Sequence, residues 1–153
     1  MICSPCAALY PIYPEKDVPF TVRHLGTLDV VEVMCTGVLT SDELRDSTSE
    51  FVAIHRRTGV TRCLVELEDA EVSASLSDIV SLPERRYESE SLPRIVRIAV
   101  IRPASESARR AAEFYETACQ NRGWNARLFS NRPAALDWLT SAAASESAGA
   151  SSG

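Results

Sequence analysis

Serine and arginine, rather than histidine or lysine, supply most of the polar chemistry in this chain. The turn Glu71-Val-Ser-Ala-Ser-Leu-Ser77 places three serines where a buried strand gives way to a helix. A hydroxyl there can cap the helix, carry a phosphate or touch a ligand. Ser73 and Ser75 are the phosphorylation candidates, and Ser75 also suits an N-cap with Asp78 three residues on. A phosphate would gain from the helix dipole but meet Glu71 and Asp78. In a parallel α/β sheet, ligands gather beyond the C-terminal strand ends, beside helix N-termini. The residues expected along that rim are Thr40, Ser41, Asp42, Asp69, Arg102, Ser105 and Arg132, with Asn131 beside them. An arginine there can hold a phosphate or carboxylate. The alternative for each is an ordinary cap or a solvated loop residue, since every helix leaves backbone groups to satisfy.

Other chemistries find less. The acidic run Glu66-Leu-Glu-Asp-Ala-Glu71 could hold a magnesium ion but also suits a solvated strand end. Cys3-Ser-Pro-Cys6 has redox or zinc spacing but no second pair. His24 and His55 lack a nucleophile context, and no Gly-x-Ser-x-Gly is present. The chain has fifteen arginines and one lysine, Lys16, so a phosphate-loop or Schiff-base lysine is hard to place. No enzyme activity, metal or cofactor is expected. Phe114 with Tyr115, or an exposed Trp138, could mark a homodimer or partner patch.

The 153 residues suffice for one domain with a real core. They are 45% hydrophobic and 24% charged, with a net charge of −5 and a pI near 5.1. That balance argues against a general nucleic-acid binder. No apolar run nears the ~18 residues of a membrane span, and no secretory leader pattern is visible. Cys35, Cys63 and Cys119 fall at apolar positions, as small core residues in a reducing compartment do. The expected location is cytoplasmic.

Period and punctuation then give the elements. Phe20–Leu25 and Leu28–Thr36 alternate as strands around Gly26-Thr27, an antiparallel hairpin. Thr40 and Glu43 form a capping box for a helix over Ser41–Thr58, ended by Gly59. A central strand follows at Thr61–Glu68, then a helix from Ser75 that Pro83 must break or restart, anchored by Tyr87. Arg94–Ile101 is a strand, and Ser105–Arg122 a helix with a small-residue face. Trp124–Phe129 is the last strand, and Pro133 opens a final helix packing Ala135, Leu136, Trp138 and Leu139. Residues 1–17 and 141–153 read as tails around a domain over 18–140. The order is β-β-α-β-α-β-α-β-α, an α/β domain with a mostly parallel sheet.

Four stretches in that order resemble STAS domains, more specifically the SpoIIAA-like, STAS/SEC14-type small bacterial proteins. Thr36-Gly-Val-Leu-Thr-Ser-Asp-Glu43 is similar to the family's lead into its first helix. Leu64-Val-Glu-Leu-Glu68 is similar to its central strand, and Arg94-Ile-Val-Arg-Ile-Ala-Val-Ile101 to its next strand. Arg127-Leu-Phe129 with Ala135-Leu-Asp-Trp-Leu139 resembles its close. The resemblance implies a SpoIIAA-like β-α superhelix: a mixed, mostly parallel five-stranded sheet with an antiparallel hairpin strand and about four helices. It also implies a non-enzymatic regulatory role with a protein partner such as an anti-sigma-type kinase. Classical members carry a phosphorylatable serine in a D-S/T-x-G motif after the central strand. Here Ser73 and Ser75 have neither the preceding Asp nor the Gly. Lipid-carrier-like members imply instead a small apolar ligand between sheet and helices.

Overall fold

The computed structural model describes residues 20–67 and 70–141. The N-terminal tail, the C-terminal tail beyond Ser141, Cys3, Cys6, Lys16 and the rim candidate Asp69 lie outside the described residues.

Strands β1 (Phe20–Leu25) and β2 (Val30–Cys35) form the antiparallel hairpin, with Phe20 opposite Cys35 and Leu25 opposite Val30. The second strand starts two residues later than its alternation suggests. Leu28 and Asp29 both donate to the Leu25 carbonyl, and Asp29 takes φ +56°, so the turn runs through them.

Helix α1 spans Ser41–Thr58, as its caps require: Thr40 and Glu43 close a reciprocal box, and Gly59 ends it at φ +79°. Strand β4 (Arg62–Glu66) pairs in parallel with β2 on one side and β6 (Arg97–Ile101) on the other. Strand β7 (Asn125–Phe129) completes the sheet beside β6. The order β1-β2-β4-β6-β7 puts β4 at the centre. A second, two-stranded sheet joins β3 (Val38–Leu39) to β5 (Glu71–Val72) in parallel. These strands are too short to show a period in the sequence.

Between β4 and β6 lies a short helix α2 (Leu76–Val80), followed after two residues by a π-helical segment, Pro83–Glu88. Proline lacks an N–H and its ring crowds the carbonyl four residues back, so a wider turn accommodates it. Leu92 N–H reaches back to the Tyr87 carbonyl at 3.0 Å as the segment ends. Strand β6 begins at Arg97, not Arg94, because Pro93 to Val96 form a hydrogen-bonded turn and Ile95 is left exposed. Helix α3 (Glu106–Asn121) is capped by Ser105, and α4 (Arg132–Thr140) by Asn131.

Each parallel strand is added on the same side of the last, so successive crossovers of one hand put their helices on one face. There Val31, Val33, Cys63, Ile98 and Val100 pack beneath Phe51, Tyr87, Ala112 and Cys119. Helix α4 is not a crossover and covers the other face, with Ala135, Trp138 and Leu139 on Val30, Leu64 and Ala99. The parallel strands are therefore buried on both sides, as such strands require. Trp138 is buried rather than exposed, whereas Phe114 is exposed and Tyr115 half-buried. Cys35, Cys63 and Cys119 are free thiols inside the core.

Candidate functional site

Parallel strands point their C-terminal ends the same way, and the loops leaving β2, β4 and β6 come together at that edge. The β3–β5 pairing ties the first two, with Glu71 N–H to the Gly37 carbonyl at 2.7 Å and Ser73 N–H to Leu39 at 2.9 Å. Gly37 sits at φ +70°, where a side chain would be strained. The loop after β6 joins through Ser105, whose Oγ donates to the Ala70 carbonyl at 3.2 Å. Val72 N–H reaches Ser107 Oγ at 3.4 Å.

Most candidate residues on this rim already have partners. Thr40 Oγ1 accepts from Glu43 N–H at 3.3 Å, and Asp42 pairs with Arg45. Ser41 Oγ donates to Asp78 at 2.6 Å, linking the starts of α1 and α2. Ser105 Oγ accepts from Ala108 N–H. Ser75 is exposed, its Oγ accepting from Asp78 N–H at 3.1 Å. Ser73 is exposed as well, its Oγ bonded to the Leu39 carbonyl at 3.3 Å. Arg102 is exposed, while its backbone N–H continues the ladder to Phe129.

Arg132 faces inward instead. Its guanidinium bridges Glu32, at 2.5 Å, and Glu66. Arg23 holds the other Glu32 oxygen at 2.7 Å. The Glu32 side chain is only 2% exposed. Burial pushes its carboxyl up, but hydrogen bonds from Arg23 and Arg132 outweigh that and hold it below the ordinary carboxylate value. The sequence carried one signal of this clamp, a lone acid inside Val30-Val-Glu-Val33.

Beneath the rim, between the sheet and the α1, α2 and π-helical side, lies an apolar cavity of about 110 Å³. Val33, Val65 and Val100 form its floor, and Phe51, Ile79 and Tyr115 are among its walls. The Tyr87 and Tyr115 hydroxyls meet at 2.5 Å, and burial pushes both phenols well above their ordinary value. Burial likewise pushes the Cys35 and Cys63 thiols in the lining up to about 12, so they stay protonated and poorly nucleophilic. Among the described residues no group of three or more His, Cys, Asp and Glu could hold a metal. No described helix is long and apolar enough to cross a membrane.

The class that fold and rim define is a mixed α/β domain wound in one direction from an antiparallel hairpin, the SpoIIAA-like arrangement that the motif resemblance implies. No protein-family model matches the chain, and no curated protein matches it. Among solved structures it is similar to an uncharacterized protein of the DUF3478 family with a SpoIIAA-like fold, from Shewanella loihica PV-4. The identity is 18%, covering 78% of this chain and 91% of that one, with a TM-score of 0.48. The fold assignment rests on the strand order, register and helix placement of this chain.

Proposed function

We propose that this domain is a non-enzymatic, STAS-like regulatory module that binds a protein partner through the rim at the C-terminal strand ends. The observation that carries this reading is the Ser73–Ser77 turn. It is exposed, braced by β3 and β5, and bordered by the exposed apolar residues Val38, Leu76 and Val80. A rigid polar turn with apolar neighbours suits a reversible protein contact. Thr40, Ser41, Asp42, Arg102 and Ser105 are the further rim residues proposed for that contact, in a cytoplasmic setting. Arg132 braces it from within.

Ser75 is the better-placed phosphorylation site. A phosphate there would carry close to two negative charges beside Asp78, the carboxylate that Ser41 holds. Repulsion would loosen the α1–α2 link and alter the contact surface, and an anti-sigma-type kinase is the partner class proposed to deliver the phosphate. The test is affinity purification from the native host with intact-mass and peptide analysis. The expected result is a co-purifying protein partner, phosphate on Ser73 or Ser75, and loss of the partner in Ser75→Asp but not Ser75→Ala. A chain that carries no phosphate and binds the partner equally in both variants overturns the switch. A chain that retains no protein partner overturns the module.

A second reading, a small apolar-ligand or lipid-binding protein, takes its support from the cavity between the sheet and the 76–88 segment. Native mass spectrometry of the purified chain, with a co-purified ligand expected, tests it.

A further inference from the structure

We infer that the cavity between the sheet and the α1, α2 and π-helical side takes a small, neutral, ring-sized ligand that donates at most one hydrogen bond. Fatty acids and phospholipids are excluded by the same lining. This inference rests on the second reading above and narrows it to one ligand class.

Size sets the first limit. A dry apolar cavity of roughly 150 Å³ accommodates a benzene ring. The space here is about 110 Å³, enough for one small ring or a short branched group after slight adjustment of the walls. Leu44, Ser47, Thr48 and Leu82 line it and are half-buried, which marks α1 and the 76–88 segment as the side that can give way. An acyl chain of membrane length would have to displace that side altogether.

Polarity sets the second limit. The lining contains no lysine, arginine or histidine. An ionised carboxylate or phosphate brought in would lose its water and find no cation, a cost that excludes charged ligands. The hydroxyls define the remaining tolerance. Ser47 and Thr48 both donate to the Leu44 carbonyl, at 3.1 and 2.9 Å, which uses their protons and leaves lone pairs free. One tyrosine proton lies between Tyr87 and Tyr115, and the Tyr115 hydroxyl also interacts with the Cys119 thiol. The walls can accept a hydrogen bond at these hydroxyls, and the protons left to give are those of the weakly donating Cys35 and Cys63 thiols. An indole N–H or a phenol O–H therefore fits, and a carboxylate of the same size does not.

Indole and toluene, with benzoate and decanoate as the charged counterparts, make the test on the full chain. Titration by methyl NMR is expected to give saturable shifts at Val33, Val65 and Val100 with indole and toluene only. Ala112→Leu, which fills the cavity from α3, is expected to weaken indole binding by at least about tenfold. Should that variant fail to fold, intermolecular NOEs from toluene to the same methyl groups of the wild-type chain locate the ligand directly. If decanoate or benzoate binds as well as indole, this inference is overturned while the apolar-ligand reading stands. Should none of the four bind, both are overturned.

Discussion

Glu32 presents the sharpest electrostatic problem in the molecule, a carboxylate inside a sheet flanked by valines. Two guanidinium groups hold it charged, one from the neighbouring strand and one from the start of α4. Removing one partner of a buried pair costs about 3–5 kcal/mol because the other charge stays buried. Arg132 is 39% exposed and Arg23 would remain, so Arg132→Met is expected to lose less, about 2–3 kcal/mol in urea unfolding. Adding Glu32→Gln should recover part of that loss; a double variant no better than the single would refute the clamp. The pH dependence has a definite sign. Since the folded carboxyl lies below its unfolded value, its contribution is present above about pH 4.3 and disappears as pH falls through the folded value. Glu32→Gln should therefore flatten the acid limb of the stability profile. The lone acid among valines was the one trace of this in the sequence; its two partners were not legible. Alternation in a strand says which face a residue takes, not what meets it there, and Arg132 is one hundred residues away.

Elements whose signals are local were the legible ones. Helix α1 has a capping box at one end and a left-handed glycine at the other, both set by residues within a turn of the boundary. Thr40→Ala should cost about 1 kcal/mol in chemical denaturation, and Gly59→Ala a comparable amount. The extended reading of 94–101 was too long for an equally physical reason. Arg94 is drawn away by the Arg122 carbonyl and stacks on Trp124, so the chain turns before it joins the ladder. The stretch from 76 to 88 was the least legible. It combines a five-residue helix with a π-helical turn, and neither buries a continuous stripe. Isolated helices that short are marginal, and stability comes from what they pack against. With a cavity beneath it, this stretch should exchange its amide hydrogens before β4 and β6 do. Equal protection across the three would contradict that ordering.

At the scale of the whole chain, the strand order rises without reversal from one edge of the sheet to the other. Doubly wound nucleotide-binding folds place their ligand where the order reverses. Here the order never reverses, and the corresponding edge is spanned by the β3–β5 bridge and by the Ser105 bond to Ala70. The sequence could suggest parallel strands and one crowded rim, because alternating elements and chain handedness lead there. It could not show a two-residue pairing across 31 intervening positions, or a gap left between correctly placed walls. Core clusters on the two faces share every central strand, so they should be lost together. Tryptophan fluorescence, reporting Trp124 on one face and Trp138 on the other, should give the same urea midpoint as far-UV circular dichroism.

That unreversed order also bears on synthesis. A chain leaving the ribosome at its N-terminal end would find, for each new strand, a finished neighbour already waiting on the correct side. No strand of the main sheet has to be inserted between two earlier ones, and beyond the β1 edge only the growing border waits for a partner. Assembly can thus keep pace with translation, leaving α4 to seal the rear of the sheet once the last strand is out.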